Sequence, residues 1–164
     1  MSAQFWEKFY DAIREMIFSD EVYVFREIVN EPKTIREIAD KLGMPYVTVR
    51  KYIQWGYKNG LTVVVGTKKD RGAISEKWLL TFVPEVLEVK EDNLLIEIRL
   101  RINIRREFCE GVCPFKSECP NFLKMKNGEK VVPKYRDVEL LFELMSNVFP
   151  EVWNYFKSGI FYTL

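Results

Sequence analysis

Residues 34–65 read TIREIADKLGMPYVTVRKYIQWGYKNGLTVVV, and they decide the fold of the first half of the chain. Thr34 and Glu37 have the spacing of a capping box, in which hydroxyl and carboxylate each satisfy an orphan backbone amide at the start of a helix. Ile35, Ile38, Ala39 and Leu42 then recur on one helical face, and Gly43 suits the left-handed residue that ends such a helix. Pro45 fits the first position of another helix, Pro45 to Lys58, with Val49, Tyr52, Ile53 and either Trp55 or Tyr57 inward and Asn59-Gly60 closing it. Two short helices joined by a tight glycine-containing turn make a helix-turn-helix. Beyond Gly60 the pattern predicts a strand, Leu61 to Val65, a charged loop bracketed by Gly66 and Gly72, and a second strand near Lys77 to Phe82.

Toward the N-terminus, Phe5, Phe9, Ile13 and Met16/Ile17 recur at helical spacing across Gln4 to Phe18, with Trp6 and Tyr10 widening the apolar stripe. Ser19-Asp20 is read as the cap of a second helix, Glu21 to Asn30, with Val22, Phe25, Ile28 and Val29 inward. That helix ends at Glu31-Pro32, because the residue before proline is pushed out of the helical region. Three helices, a strand, a basic loop and a strand follow the order of a winged-helix domain. The first domain is therefore placed at residues 1–83, with an extra N-terminal helix.

Beyond Pro84 the period changes to two. Leu94, Ile96, Ile98, Leu100, Ile102 and Ile104 alternate with mostly polar residues, which calls for one long strand, with Val86 to Lys90 as its hairpin partner across Glu91-Asp92-Asn93. The arginines on its polar face read either as the wet side of a half-buried sheet or as a second anionic contact. A hairpin alone is marginal, so this one needs something to dock on. Further along, Asp137 is read as the cap of a helix through Asn147, with Val138, Leu141, Phe142, Leu144, Met145 and Val148 apolar. Pro150 starts a short last helix ending at Gly159, and the apolar tail GIFYTL either packs back on the fold or docks on a partner. The second domain, 84–164, is thus a hairpin, a cysteine module and C-terminal helices, and the fold class is α+β.

All three cysteines of the chain, Cys109, Cys113 and Cys119, lie in REFCEGVCPFKSECPNF, residues 106–122, and the last two are each followed by proline. Three soft ligands this close suit an iron-sulfur cluster, [3Fe-4S] or [4Fe-4S]. Zinc is the poorer match, since it normally takes four Cys or His ligands and the chain has no histidine. The same residues also read as small buried hydrophobes, or as one disulfide with a cysteine left over. A metal or cluster centre here is a natural candidate for holding the hairpin together.

With 164 residues, 48% of them hydrophobic and 30% charged, the composition is that of a folded globular chain rather than a disordered one. The charged first residues and the lack of a long apolar run predict a cytoplasmic chain with no leader and no membrane contact. The net charge is +1, yet residues 34–83 carry nine basic and four acidic side chains while residues 1–33 carry four basic and seven acidic. A positive island in a near-neutral protein is the footprint of a local contact with nucleic acid.

The stretch 34–65 resembles archaeal and bacterial winged-helix transcription proteins. In that family the third helix enters the major groove and the wing touches the backbone. The resemblance implies that Tyr46, Thr48, Arg50, Lys51 and Gln54 face DNA and that Lys68, Lys69 and Arg71 form the wing tip. The same architecture also serves as a protein-docking module. Joined to CEGVCPFKSEC, residues 109–119, it is similar to the beta subunits of archaeal transcription factor E and to the related winged-helix subunit of the RNA polymerase III initiation subcomplex. That resemblance implies a transcription initiation factor subunit with an iron-sulfur cluster on its cysteines. Its partners would be the transcription factor E alpha subunit, as a heterodimer, RNA polymerase and promoter DNA, and its role would be to aid promoter opening. The spacing departs from the family in its first gap, and a fourth cysteine is missing. An iron-sulfur-sensing winged-helix repressor, a homodimer on a palindrome, is the alternative. No paired catalytic carboxylates with a strand lysine, phosphate loop or histidine point to an enzyme.

Overall fold

Thr34 Oγ1 accepts the Glu37 amide at 3.2 Å and Glu37 Oε1 accepts the Thr34 amide at 3.0 Å, so the capping box is formed. It opens a helix in a computed structural model that describes residues 2–130 and 136–146, Ser2 and Ala3 by their backbone only. The chain is mixed α+β, its sheets are antiparallel, and it divides into two compact units at Thr81/Phe82. Among the described residues no helix is long and apolar enough to cross a membrane.

The first unit holds α1 (Ser2–Ile17), α2 (Val22–Arg26), α3 (Ile35–Leu42), α4 (Tyr46–Lys58) and a hairpin of β1 (Thr62–Asp70) and β2 (Ala73–Leu80). Trp6, Phe9, Ile13, Met16 and Ile17 form the buried stripe of α1. Gly43 ends α3 at φ 64, and Pro45 is the residue just before α4 rather than its first helical residue. The expected second helix is shorter than its apolar spacing suggested, and no side chain caps it. Ser19 instead donates back to the Met16 carbonyl at 3.0 Å. Its C-terminal half is given up because the Ile28 carbonyl accepts the Leu80 amide at 2.9 Å and Lys33 exchanges both backbone hydrogen bonds with Trp78. The chain there runs beside β2, and helix cannot continue through it.

The hairpin also differs from its expected form. Pairing runs from Thr62↔Leu80 to Asp70↔Ala73, so the segment read as a loop from Gly66 is strand, and only Arg71 and Gly72 connect the strands. A bulge lies between Val64 and Gly66. Buried threonines lock the hairpin's base to α4 and to the turn that follows it. Thr62 donates to the Ile53 carbonyl at 3.0 Å, and Thr81 to the Gly60 carbonyl at 2.7 Å.

Glu27 joins the turn after α2 to α3. With its side chain only 9% exposed, it lies 3.0 Å from Lys33 Nζ and 2.8 Å from Lys41 Nζ. Burial alone would raise the carboxyl, but the hydrogen bonds from Lys41 and Lys33 hold it below its ordinary value of 4.5. Glu37 is also held low, first by the Thr34 amide. A carboxyl depressed on folding adds stability above its unfolded pKa and loses it as pH falls through the folded one. Glu21 works in the opposite sense: burial, and then Glu15, raise its carboxyl, so it favours the fold in acid. We expect the thermal midpoint to fall as pH drops below 4.5. Glu27→Gln should flatten that acid limb while lowering the midpoint at neutral pH, and an unchanged limb would show that this pair does not set it.

The second unit is a three-stranded sheet in the order β3 (Phe82–Glu91), β4 (Leu95–Ile104), β5 (Asp137–Met145), with α5 (Arg106–Gly111) and α6 (Pro120–Lys126) between β4 and β5. Asp92 Oδ1 accepts the amides of Leu94 and Leu95, both at 2.7 Å, and so forms the hairpin turn. Ile96, Ile98, Leu100, Ile102 and Ile104 are buried on one face. On the other, Arg99 meets Glu88 at 3.7 Å, and Arg101 meets Glu85 at 3.8 Å and Glu139 at 3.5 Å. These arginines are thus the wet face of the sheet, laced by cross-strand pairs.

The helix expected over Asp137 to Asn147 is instead β5. Leu140, Phe142 and Leu144 are buried and pair with Leu100, Ile98 and Ile96, while Leu141 and Met145 are exposed. The segment is apolar enough for either period, and the second edge of β4, which needs backbone partners, takes it as strand. The expected helix from Pro150 to Gly159 and the tail GIFYTL lie outside the described residues.

Candidate nucleic-acid interface and cysteine centre

Tyr46, Arg50 and Gln54 follow one another at helical spacing on α4, along one flank of its buried stripe of Val49, Ile53 and Gly56. They line one wall of an open groove of about 390 Å³, and the hairpin supplies the other wall through Asp70, Arg71, Ile74 and Glu76. Arg36, in the first turn of α3, completes the rim, with its guanidinium 5.7 Å from the centre of the Tyr46 ring. That cation–π contact ties the two side chains together in the groove lining. Three arginines against two carboxylates leave the lining net positive, and Tyr46 is 45% exposed.

Four of the eight expected contact residues thus meet in the groove, namely Tyr46, Arg50, Gln54 and Arg71. Thr48 is half-buried in the first turn of α4, and its amide donates to the Pro45 carbonyl. Lys51 is exposed, but its charge acts on Glu21, which places it on the α2 side of α4. Lys68 pairs with Glu37 at 3.3 Å, both side chains being well exposed, so the pair is weak enough for a phosphate to displace it. Lys69 lies on β1 opposite Ile74. Arg36 was missed from the sequence. The signal was available, since Ile35, Ile38 and Ala39 claim the inward face of α3 and leave Arg36 outward beside the start of α4.

Cys109 lies within α5, Cys113 follows that helix with its amide donating to the Phe108 carbonyl at 2.9 Å, and Cys119 precedes α6, whose first residue is Pro120. All three are free, half-buried thiols. Burial, and then the neighbouring Cys113, push the Cys109 thiol up to about 11, while Arg136 pulls the other way. Burial also raises the Cys113 thiol, against the Phe115 amide that donates to its sulfur and the charge of Lys116. Cys109 therefore feels both other thiols and Cys113 feels Cys119, and an upward shift does not activate a nucleophile. Among the described residues no group of three or more Cys, Asp or Glu side chains is gathered to hold a metal ion. The donors are the soft sulfurs that iron-sulfur chemistry uses, with two cations and an amide donor beside them to offset thiolate charge.

The chain matches no known family profile and no curated protein.

Proposed function

We propose that the first unit is a winged-helix module that grips DNA through its backbone. On this reading the chain works in the cytoplasm as a transcription initiation factor subunit of the transcription factor E beta kind, paired with an alpha subunit on RNA polymerase. The observation that carries the reading is the meeting of Arg36, Arg50 and Arg71, from three separate elements, with Tyr46 and Gln54 in one open groove. A third helix bearing outward polar residues beside a long hairpin is the arrangement that lays a helix in the major groove and a wing along the backbone. Arginines at a groove mouth meet phosphates first, and such contacts position DNA without choosing its sequence. In the second unit, Cys109, Cys113 and Cys119 would hold an iron-sulfur cluster. It would supply a structural cross-link for the segment between β4 and β5.

A salt titration of binding to promoter and scrambled duplexes, with anaerobically prepared protein, tests this. Arg50→Ala should weaken binding to every duplex by about tenfold and flatten the salt dependence by about one unit of slope. Lys51→Ala, on the Glu21 side, should do much less. A loss confined to one duplex favours the homodimeric repressor, and no loss makes the unit a protein-docking module. The same preparation should contain iron and sulfide that Cys113→Ser removes. Iron-free protein of equal stability would refute the cluster.

A further inference from the structure

We propose that the solvent face of the second unit's sheet, at the corner where β4 begins and β5 ends, is a docking surface for a basic amphipathic helix of a partner protein. The proposal goes beyond the DNA reading and does not rest on it.

Two independent observations carry it. The first is that the ion pairs of this face stop partway along the strands. Arg101 meets Glu85 and Glu139, and Arg99 meets Glu88. Lys90 is paired across the strands with Glu97, yet its ammonium goes to Glu88, at 3.7 Å. Glu97 and Glu143 are thereby left directly opposite each other on β4 and β5, and among the described residues no cation pairs with either. Like charges in that position cost a sheet stability. The cost is recovered when a cation from outside comes between them.

The second is apolar surface in the same place. Leu141 and Met145, 55% and 60% exposed, stand on either side of Glu143 along β5, and half-buried Leu95 lies opposite Met145. Leu94, in the turn before β4, is 80% exposed. The corner is tied in place, because the Leu94 carbonyl accepts the Ser146 amide at 3.2 Å and the Ser146 hydroxyl donates to the Asn93 carbonyl at 2.9 Å. Charge decides the occupant. With Asp137, which pairs with Asn103 on this face, the face carries six carboxylates and three cations. That balance repels nucleic acid and anionic lipid. A second copy laid on the same face about a twofold axis would set acid against acid. A basic polypeptide is the partner that gains. Leu141 and Met145 are about 14 Å apart along the strand, a length that a helix covers in about three turns. A helix whose apolar stripe reaches both, with a lysine or arginine between, fills the corner and neutralises Glu97 and Glu143 together.

The test titrates the full chain, its methionine methyls labelled, with three synthetic helices of about 18 residues. One carries a leucine stripe flanked by lysines, the second has glutamate for each lysine, and the third has serine for each leucine. Only the first should bind, and it should move the methyl resonance of Met145 but not that of Met16, which is buried in the first unit. Leu141→Ser with Met145→Ser should weaken binding about tenfold. Glu97→Gln with Glu143→Gln should weaken it about fivefold and flatten its salt dependence, yet melt higher than wild type because the like-charged pair is gone. Glu97→Lys with Glu143→Lys should prefer the glutamate helix. All of these variants keep the α4 groove and should bind DNA as wild type does, while Arg50→Ala should bind the leucine–lysine helix as wild type does, so the two readings fail separately. The docking surface is wrong if the leucine–lysine helix does not bind, if all three helices bind alike, or if the glutamine variant binds it as tightly as wild type. A wild-type dimer in sedimentation that Met145→Ser dissolves would give the face to a second copy and overturn the basic partner.

Discussion

Replacing Gly56 with valine should unfold the first unit under conditions where the wild type is stable, and alanine should cost it about 1–2 kcal/mol. Gly56 is buried in α4, and a Cβ there would lie 2.7 Å from Phe25 Cε1 and 2.9 Å from Thr62 Cγ2. Neither neighbour can give way. Phe25 is fully buried and stands edge-to-face on Trp55, with ring centres 6.1 Å apart, and the Thr62 hydroxyl is held on the Ile53 carbonyl. Alanine would otherwise gain about 1 kcal/mol from helix propensity, so a net loss measures the overpacking directly. Valine adds two more carbons to the same space. Phe25→Leu should be destabilising alone yet relieve part of the alanine penalty, a coupling that a double-mutant cycle in urea would read. If Gly56→Ala is as stable as wild type or more so, the close approach of α2 to α4 is not what the glycine serves.

In the second unit, Phe142→Ala should cost about 3–5 kcal/mol and Leu141→Ala less than about 0.5 kcal/mol. The neighbours differ because a strand sends them to opposite faces: Phe142 is 3% exposed and Leu141 55%. Phe142 pairs with Ile98 at the centre of β4, whereas Leu141 lies opposite Arg99 on the wet face. A helix over the same residues would put both on its apolar side. Equal costs for the two would therefore restore the helix and remove β5 from the sheet, and the contrast is open to a pair of denaturant titrations.

The features that could be read from the chain alone are those held by contacts a few residues long. The Thr34–Glu37 box, the left-handed Gly43 and the helical stripe of α1 each follow from neighbours in sequence. So does the strict alternation of β4, because a period of two over ten residues admits no helix. The island of positive charge over 34–83 was equally legible, and so was the gathering of all three thiols into one segment.

What remained was decided by residues far apart. The second helix stops early because Leu80 claims the Ile28 carbonyl. LLFELM, residues 140–145, suits helix and strand alike, and only the open edge of β4 chooses between them. The strands of the hairpin run on past Gly66 because cross-strand pairing continues where sequence showed charge and glycine. At the candidate interface the residue types were visible, but their meeting was not. Lys68 is drawn to Glu37 and Lys51 lies toward Glu21, while Arg36 comes over Tyr46. Periodicity tells which side of an element is dry, since that depends on the element alone. Which charges end up in one groove depends on how helices and hairpin pack, and that is set by buried contacts such as Phe25 against Gly56, whose partners are separated by thirty residues of chain.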